Sequence, residues 1–397
     1  MKRKCDIIYS VIAMISLPGY AVEMLNTIKN AGCEAYAVGG SVRDAVLGKK
    51  PTDIDITTSA TPEKIMGLFP RSVLTGGKYL TVTALHGGGK AEITPFRSES
   101  GYSDSRRPDE VHVASGLEED LKRRDFTVNT LCFDGERVID LLGGIADIKA
   151  KLIRCVGEPE RRFDEDALRI MRAFRFSAQL GFEIEPRTLS AALSLSPKLR
   201  EISVERVRDE LIKTALSPAP ERISPLLECG ALSFLKLSIS PLLPMVKNVG
   251  RDEITRLAAF FYACGREAVG LIKLPARLKS DIQGVFAVLD SLPPAEETAV
   301  KREMSRFSAG VFAAVAEIAE KLLGKTGRYS DICRAVVESG APYRVSDLAV
   351  SGGDLKSAGV PDRQIGAVLQ ILLDAVIEDP RLNERDTLIT LSSKYAE

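Results

Sequence analysis

Two aspartates separated by one residue stand out as groups that could do chemistry. Asp53 and Asp55 lie in a strand-like stretch that begins nine residues after the segment from Gly39-Gly40 through Arg43 to Asp44. Side chains at positions i and i+2 of a strand point to the same side, so both carboxylates can hold Mg²⁺. A glycine pair that opens a short helix lets backbone N–H groups approach phosphates, with Arg43 on the next turn. Together these residues predict a site where a nucleoside triphosphate meets metal ions, which is nucleotidyl-transfer chemistry.

An isolated pair of aspartates also fits a solvated strand face, and the glycines and arginine before it favour the metal site. Phosphoryl transfer runs in line between two oxygens, and two metal ions about 4 Å apart can stabilise both of them. Glu92 is a further carboxylate, flanked by apolar residues in a second strand-like stretch. If that strand pairs beside Asp53 and Asp55, Glu92 becomes a third ligand or the base for the attacking hydroxyl. Otherwise it is an exposed position in an alternating strand.

A dense polar patch follows at residues 123–129. The guanidinium of Arg124 suits triphosphate oxygens, and Asp125 can accept hydrogen bonds from ribose hydroxyls. An ordinary helix start capped near Asp125 would also explain these charges when they are taken alone. Beside the predicted metal site, we interpret them as nucleotide-binding residues.

A second charged patch lies between residues 164 and 180, which the spacing of apolar residues predicts to be one helix. Asp166 and Arg169 would then share a face, and Arg172 and Arg175 would continue the row. A carboxylate acceptor beside a guanidinium donor matches the amino group and ring nitrogen of cytosine or adenine. Uracil and guanine present the opposite pattern. A salt-bridged helix surface is the alternative interpretation of the same spacing.

Two kinds of segment must position these residues. Short helical and strand-like stretches alternate over residues 20–140, with strands predicted at 34–38 and 54–57 and a hairpin over 81–94. After residue 164, strand signals nearly vanish and amphipathic helices follow. The sequence therefore predicts an α+β fold: an N-terminal head with a small mixed β-sheet and helices, followed by an all-α remainder.

Composition limits the classes of protein that fit. The 397 residues exceed one ordinary core, and 45% apolar with 27% charged residues is typical of a globular protein. Lys and Arg number 54, as do Asp and Glu together, so any RNA-binding surface must be a local basic face. The seven cysteines include no Cys-x-x-Cys pair, which favours reduced thiols in a cytoplasmic protein.

The N-terminus resembles a secretory signal, because Lys2-Arg3-Lys4 precedes an apolar run from Ile7 to Leu17. Asp6 interrupts the start of that run, and no small-x-small cleavage site follows. The run is also far shorter than the roughly 20 residues that a membrane-spanning helix needs. We therefore expect neither a cleaved signal nor a membrane association.

Several sequence blocks together resemble class II CCA-adding tRNA nucleotidyltransferases, in a superfamily shared with bacterial poly(A) polymerases. Four blocks carry the resemblance: residues 39–55 with Gly39-Gly40 and Asp53-Ile54-Asp55, residues 123–129, residues 165–176, and residues 205–211. Residues 102–111 match the flexible loop of the family's head. The resemblance runs from about residue 18 to the C-terminus.

The resemblance implies roles for individual residues. Asp53 and Asp55 would bind Mg²⁺ in a two-metal site. Gly40, Arg43 and Arg124 would contact the nucleotide, Asp166 and Arg169 would select the base, and Arg172 and Arg175 would complete the nucleotide contacts. The substrates would be CTP, ATP and the 3′ end of tRNA, and no protein partner is implied.

The family architecture implies a head, a neck, a body and a tail. The predicted parts are an N-terminal extension at 1–17, a nucleotidyltransferase catalytic head at 18–150, a helical neck with the base-selecting helix at 151–217, a helical body at 218–292 and a helical, tRNA-binding tail at 293–397.

Three other functions stay open at this point. Two share the chemistry, namely a bacterial poly(A) polymerase and a partial enzyme that adds only A or only CC. The loop at 102–111 argues against CC-only addition, since that specialisation is associated with a disrupted loop. A catalytically inactive RNA-binding scaffold is the non-enzyme alternative, and the presence of both Asp53 and Asp55 argues against it.

Overall fold

The structure is a computed structural model, and it describes residues 15–76, 80–100, 110–114 and 116–395. The loop predicted at 102–111 therefore lies almost entirely outside the described residues, as does most of the N-terminal extension. Two compact units make up the chain, Met1–Leu211 and Ile212–Glu397. The finer division into head, neck, body and tail stays a prediction.

The first unit contains the β-structure that the sequence predicts. Its strands are β1 (Ala35–Val38), β2 (Ile54–Thr58), β3 (Ser72–Gly76), β4 (Thr81–His86), β5 (Gly89–Pro95), β6 (Arg97–Ser100), β7 (Glu110–Val113), β8 (Cys132–Phe133), β9 (Val138–Ile139), β10 (Leu152–Ile153) and β11 (Glu183–Ile184). Seven of them form one sheet in the order β3-β4-β5-β2-β1-β8-β9. Only β2 and β5 pair in parallel within it, so the sheet is mixed, as predicted.

Helices surround this sheet and continue beyond it in the chain. Those that begin in the first unit are α1 (Gly19–Asn30), α2 (Gly40–Val46), α3 (Pro62–Leu68), α4 (Leu117–Lys122), α5 (Gly144–Ala150), α6 (Pro159–Glu165), α7 (Leu168–Leu180), α8 (Pro186–Leu195) and α9 (Val204–Ala215). The start of α3 is capped, because the Thr61 side chain accepts a hydrogen bond from the Lys64 amide at 3.4 Å and Pro62 occupies the first turn.

Among the described residues of the second unit, the regular elements are all helices, joined by turns and irregular segments. Its helices are α10 (Ser224–Glu228), α11 (Glu253–Cys264), α12 (Ala268–Leu271), α13 (Ala276–Asp290), α14 (Glu297–Arg306), α15 (Ala309–Lys321), α16 (Tyr329–Ser339), α17 (Gly352–Ser357), α18 (Ile365–Glu378) and α19 (Arg385–Ser392). Packing of α11, α13 and α15 buries Phe260, Val285 and Phe312. A separate apolar cluster near the C-terminus includes Leu355, Leu373 and Leu388.

One predicted element is wrong. Residues 164–180 do not form a single helix, because α6 ends at Glu165 and α7 begins at Leu168. Asp166 has extended backbone angles, and its Oδ1 accepts a hydrogen bond from the Leu168 amide at 3.0 Å. Short carboxylates compete for backbone N–H groups and so favour helix starts over helix interiors. Apolar spacing alone did not reveal this break.

Among the described residues, no helix combines the length and the apolar character that crossing a bilayer requires.

Candidate active site

Asp55 and Glu92 lie side by side on neighbouring strands. The parallel pairing of β2 with β5 sets Asp55 opposite Glu92, and Asp53 immediately precedes β2. All three carboxylates are exposed, whereas Ile54 and Ile56 on the alternate positions are buried. The strand pairing on which the predicted role of Glu92 depended is therefore present. Its role as a base stays a prediction.

These carboxylates border a pocket of about 390 Å³. Its lining includes Tyr20, Thr52, Asp53, Asp55, Lys90 and Glu92. Although Asp55 is accessible to solvent, the surrounding protein partly desolvates its carboxylate and raises its pKa. Arg124 lowers this pKa, and Glu92 and Asp53 raise it further. The pocket therefore concentrates negative charge that a cation would relieve.

Asp53 and Asp55 could serve as the protein ligands of a divalent metal ion. Within the described ranges, no group of three or more His, Cys, Asp and Glu side chains is arranged as a complete metal centre. Mg²⁺ usually takes only one or two protein carboxylates and completes its shell with waters and substrate phosphates. Asp53 and Asp55 supply that number of hard oxygen donors at one edge of the pocket.

Gly39 permits a close approach next to Asp55. Its φ is +80°, a conformation that glycine adopts most readily, and it directly precedes α2. A Cβ at this position would lie 3.9 Å from Asp55 Oδ2 and 3.5 Å from Arg124 Nη1. The Gly39 backbone, the Arg124 guanidinium and the Asp55 carboxylate therefore converge at one point. The approach of backbone N–H groups at these glycines to phosphates stays a prediction.

Arg124 is held at that point by a buried carboxylate. Asp120 is fully buried, and its Oδ2 accepts from Arg124 Nη2 at 3.2 Å and from the Thr57 hydroxyl at 3.2 Å. Its Oδ1 accepts from Arg123 Nη2 at 2.7 Å. The Nε of Arg124 is buried and has no hydrogen-bond partner among the described residues. Arg124 thus keeps donor capacity in a fixed position beside Asp55.

Arg43 is buried and faces Asn129 instead of the pocket. Its Nη1 donates to Asn129 Oδ1 at 2.7 Å, and its Nε donates to Asp44 Oδ1 at 2.9 Å. Asn129 in turn donates to Asp125 Oδ1 at 3.1 Å. A continuous hydrogen-bonded path therefore joins α2 to Asp125.

Asp125 connects this path to α7. Its Oδ2 accepts from Arg172 Nε at 2.8 Å and from Arg172 Nη2 at 2.6 Å. Burial alone would raise the pKa of Asp125, but Arg172, Asn129 and the Phe126 amide lower it to about 2. Asp125 is therefore a charged, buried support for Arg172. Its contact with a ribose hydroxyl stays a prediction.

Three guanidinium groups surround the ring of Phe176. The centroid lies 4.2 Å from the guanidinium carbon of Arg175 and 5.3 Å from those of Arg43 and Arg172. Arg175 also donates to Glu210 Oε1 at 3.1 Å. Burial and the charge of Arg172 lower the pKa of Arg175 to about 10. Cation–π contacts and Glu210 thus hold the arginine cluster together.

Asp166 and Arg169 make separate contacts. Asp166 Oδ2 accepts from Arg206 Nη2 at 3.0 Å. Arg169 is buried, and its Nη1 donates to Glu165 Oε2 at 2.9 Å. Of the proposed base-reading pair, Asp166 therefore lies in the turn between α6 and α7, and Arg169 lies in the first turn of α7.

Sequence reasoning missed the supporting residues Asp120, Asn129, Arg206 and Glu210. Arg206 and Glu210 are four residues apart on α9, so they lie on one face and reach Asp166 and Arg175 respectively. Their spacing within the block at 205–211 was a signal, because two charges one turn apart on a helix can support two neighbouring sites.

The site and the mixed sheet define the class of protein, a nucleotidyltransferase. Residues 35–154 match the family model described as the poly A polymerase head domain. Residues 181–243 match a model described as the probable RNA and SrmB-binding site of polymerase A. The head match contains Asp53, Asp55, Glu92 and Arg124.

Comparison with whole proteins defines the family. A CCA-adding enzyme from Levilactobacillus brevis is 39% identical over 92% of this chain and 95% of its own length. A CCA-adding enzyme from Leuconostoc mesenteroides is 38% identical over 94% of this chain and 96% of its own length. The crystal structure of the Bacillus stearothermophilus CCA-adding enzyme in complex with CTP superposes with a TM-score of 0.80 at 29% identity, covering 94% of this chain and 96% of that one. The chain belongs to the family of CCA-adding enzymes, as its sequence motifs predicted.

Proposed function

We propose that this protein adds CCA to the 3′ end of tRNA without a nucleic-acid template, using CTP and ATP. The convergence of Glu92, Gly39 and Arg124 on Asp55, at the edge of the pocket, is the observation that carries the proposal. The names of relatives that match nearly the whole chain support the choice of reaction. Because the reaction consumes cellular tRNA and nucleotides, we also propose a cytoplasmic location.

The reaction forms one bond and breaks one. The 3′-hydroxyl oxygen of the RNA attacks the α-phosphorus of the nucleotide, and pyrophosphate leaves as the bond to its bridging oxygen breaks. Glu92 is the proposed acceptor of the hydroxyl proton, because its carboxylate lies beside Asp55. Asp53 and Asp55 would hold Mg²⁺ in a two-metal site. When bound, those ions would stabilise charge on the attacking and leaving oxygens.

Other residues bind and orient the nucleotide in this proposal. Arg124 and the backbone at Gly40 contact the triphosphate. Arg43, Asp125, Arg172 and Arg175 act as one network that positions the nucleotide against the sheet. Asp166 and Arg169 read the base, the first as acceptor and the second as donor.

The deciding experiment is incubation with CTP, ATP, Mg²⁺ and a tRNA that lacks its 3′ CCA. We expect three additions by gel mobility. A long tail would indicate a poly(A) polymerase, and a single A on a tRNA that ends in CC, with no addition to the shorter tRNA, would indicate a partial enzyme. No incorporation with any acceptor would favour the RNA-binding scaffold.

Replacement of Asp166 by alanine should relax base selection. An acceptor at this position pairs with the amino group of cytosine or adenine and leaves a carbonyl unpaired, which is what rejects UTP and GTP. We expect the preference for CTP over UTP in kcat/KM to fall by about tenfold or more, the range for a lost polar contact. Asp164→Ala serves as a matched control, because Asp164 is an exposed carboxylate two residues away. An unchanged preference in Asp166→Ala would contradict the base-reading role.

A further inference from the structure

Tyr20 is an aromatic residue at the active-site pocket that the sequence motifs did not single out. It lies in the first turn of α1, and it lines the pocket that contains Asp53, Asp55 and Glu92. Residue 20 also precedes the matched head region, which starts at residue 35. Its position beside the carboxylates therefore comes from folding and not from a motif.

The end of the β4–β5 hairpin is shaped to receive this ring. A Cβ at Gly89 would lie only 2.3 Å from Tyr20 Cδ1, and a Cβ at Gly87 would lie 3.0 Å from Tyr20 Cβ. The φ of Gly89 is outside the left-handed region, so closeness to the ring, and not the backbone, excludes a side chain there. The ring is consequently held against the hairpin at the edge of the pocket.

The pocket lies on a different side of Asp55 from the residues assigned to the nucleotide. Gly39 lies next to Asp55 between β1 and α2, and Arg124, just after α4, lies next to Gly39. Neither residue belongs to the described lining of the pocket. Lys90 and Glu92 come from β5, on the other flank of β2. In-line phosphoryl transfer requires attacker and leaving group on opposite sides of the phosphorus. If the triphosphate occupies the Arg124 side, the attacking hydroxyl must come from the Tyr20 side.

We propose that this pocket receives the 3′-terminal nucleotide of the acceptor RNA, with its base stacked on Tyr20 and its phosphate paired with Lys90. The proposal rests on the proposed function. Stacking on an aromatic ring is tolerant of base identity, which suits a position where the terminal base changes after each addition. The Lys90 side chain is 59% exposed and its Nζ lies 3.8 Å from Glu92 Oε1, so the ammonium can also reach a phosphate oxygen.

The first test is steady-state kinetics of Tyr20→Ala with CTP and a tRNA that lacks its CCA. We expect KM for tRNA to rise about 5- to 150-fold, as for loss of one base–aromatic stack, with KM for CTP unchanged. Tyr20→Phe keeps the ring and should retain the wild-type KM. A rise in KM for CTP alone, or no change in either KM, would overturn the proposal.

Gly89→Ala provides a second variant that leaves the chemistry of Tyr20 intact. The new methyl group displaces the ring, so KM for tRNA should rise as in Tyr20→Ala. In a Tyr20→Ala background the added methyl group has no ring to displace, so adding Gly89→Ala should not raise KM for tRNA any further. Additive effects of the two substitutions would overturn the assignment of the ring, even if Tyr20→Ala alone is poorly folded.

Lys90→Ala tests the phosphate contact. We expect weaker tRNA binding and a slope of log affinity against log salt that is smaller by about one, as for the loss of a single phosphate contact. Lys149→Ala removes an exposed lysine from α5 and should leave the slope unchanged. Equal slopes for Lys90→Ala and the wild type would overturn the lysine's role.

These outcomes separate the inference from the proposed function. A wild-type protein that extends no tRNA refutes the proposed function itself. A wild-type protein that adds CCA, together with Tyr20 and Gly89 variants of normal KM for tRNA, refutes only the placement of the RNA end.

Discussion

Asp55→Asn is expected to abolish nucleotide incorporation, while tRNA binding stays close to that of the wild type. The substitution keeps the size of the side chain and removes the charge that would hold a divalent ion. Bound metal ions stabilise the charge of the transition state by several kcal/mol, and each 1.4 kcal/mol changes the rate by a factor of about ten. We therefore expect kcat to fall by about 10³-fold or more. Single-turnover incorporation of labelled CTP measures this, and the double variant Asp53→Ala with Asp55→Ala should be equally inactive.

Glu136→Gln is the matched control for that experiment. Glu136 is an exposed carboxylate in the same unit and does not line the pocket. Its replacement should leave kcat unchanged. If Asp55→Asn still turned over at a tenth of the wild-type rate, the metal-binding assignment would be wrong.

Of the substitutions proposed, Asp120→Ala should lower the free energy of unfolding the most. Asp120 is fully buried and accepts hydrogen bonds from Arg123, Arg124 and Thr57. Removal of one partner of a buried ion pair leaves uncompensated buried charge and typically costs about 3–5 kcal/mol. Chemical denaturation followed by a probe in the first unit measures the change in the free energy of unfolding. Arg124 also loses its support, so incorporation of CTP should fall in the same variant.

Glu118→Ala on the same helix is the control for this effect. The Glu118 ion pair with Lys122 is exposed, with both side chains more than half accessible to solvent. Such pairs contribute roughly 0–1 kcal/mol, so stability should hardly change. Equal losses in the two variants would show that Asp120 is not a buried electrostatic support.

The contribution of Asp120 should also depend on pH. Burial works to raise its pKa, but Arg124 and Arg123 outweigh burial and hold the pKa below its ordinary value of 3.8. A carboxylate with a depressed pKa stabilises the folded state fully above its unfolded pKa, and that stabilisation disappears as the pH falls through the folded pKa. The difference in stability between wild type and Asp120→Ala should therefore be constant near neutral pH and shrink only below about pH 4.

Much of the candidate site was predictable because its parts are local in sequence. Strand alternation set Asp53 and Asp55 on one side, and the glycine pair before α2 indicated the backbone turn next to them. Alternating and helical apolar patterns predicted the mixed head and the helical remainder. Family-specific blocks then narrowed the chemistry to CCA addition. These features depend on neighbours within a few residues, which is the range over which backbone geometry is determined.

Only the tertiary structure decided which distant groups meet. Glu92 becomes a partner of Asp55 because β2 and β5 pair in parallel in one register, and a shift by one residue would turn it to the other face. Arg43 turns inward because Asn129, 86 residues later, accepts its hydrogen bond. Tyr20 reaches the pocket because two hairpin glycines leave room for its ring. Residue types and their spacing thus determined which chemistry the chain carries. Long-range packing alone determined which side chains carry it together, since no local pattern encodes strand register or a contact between remote elements.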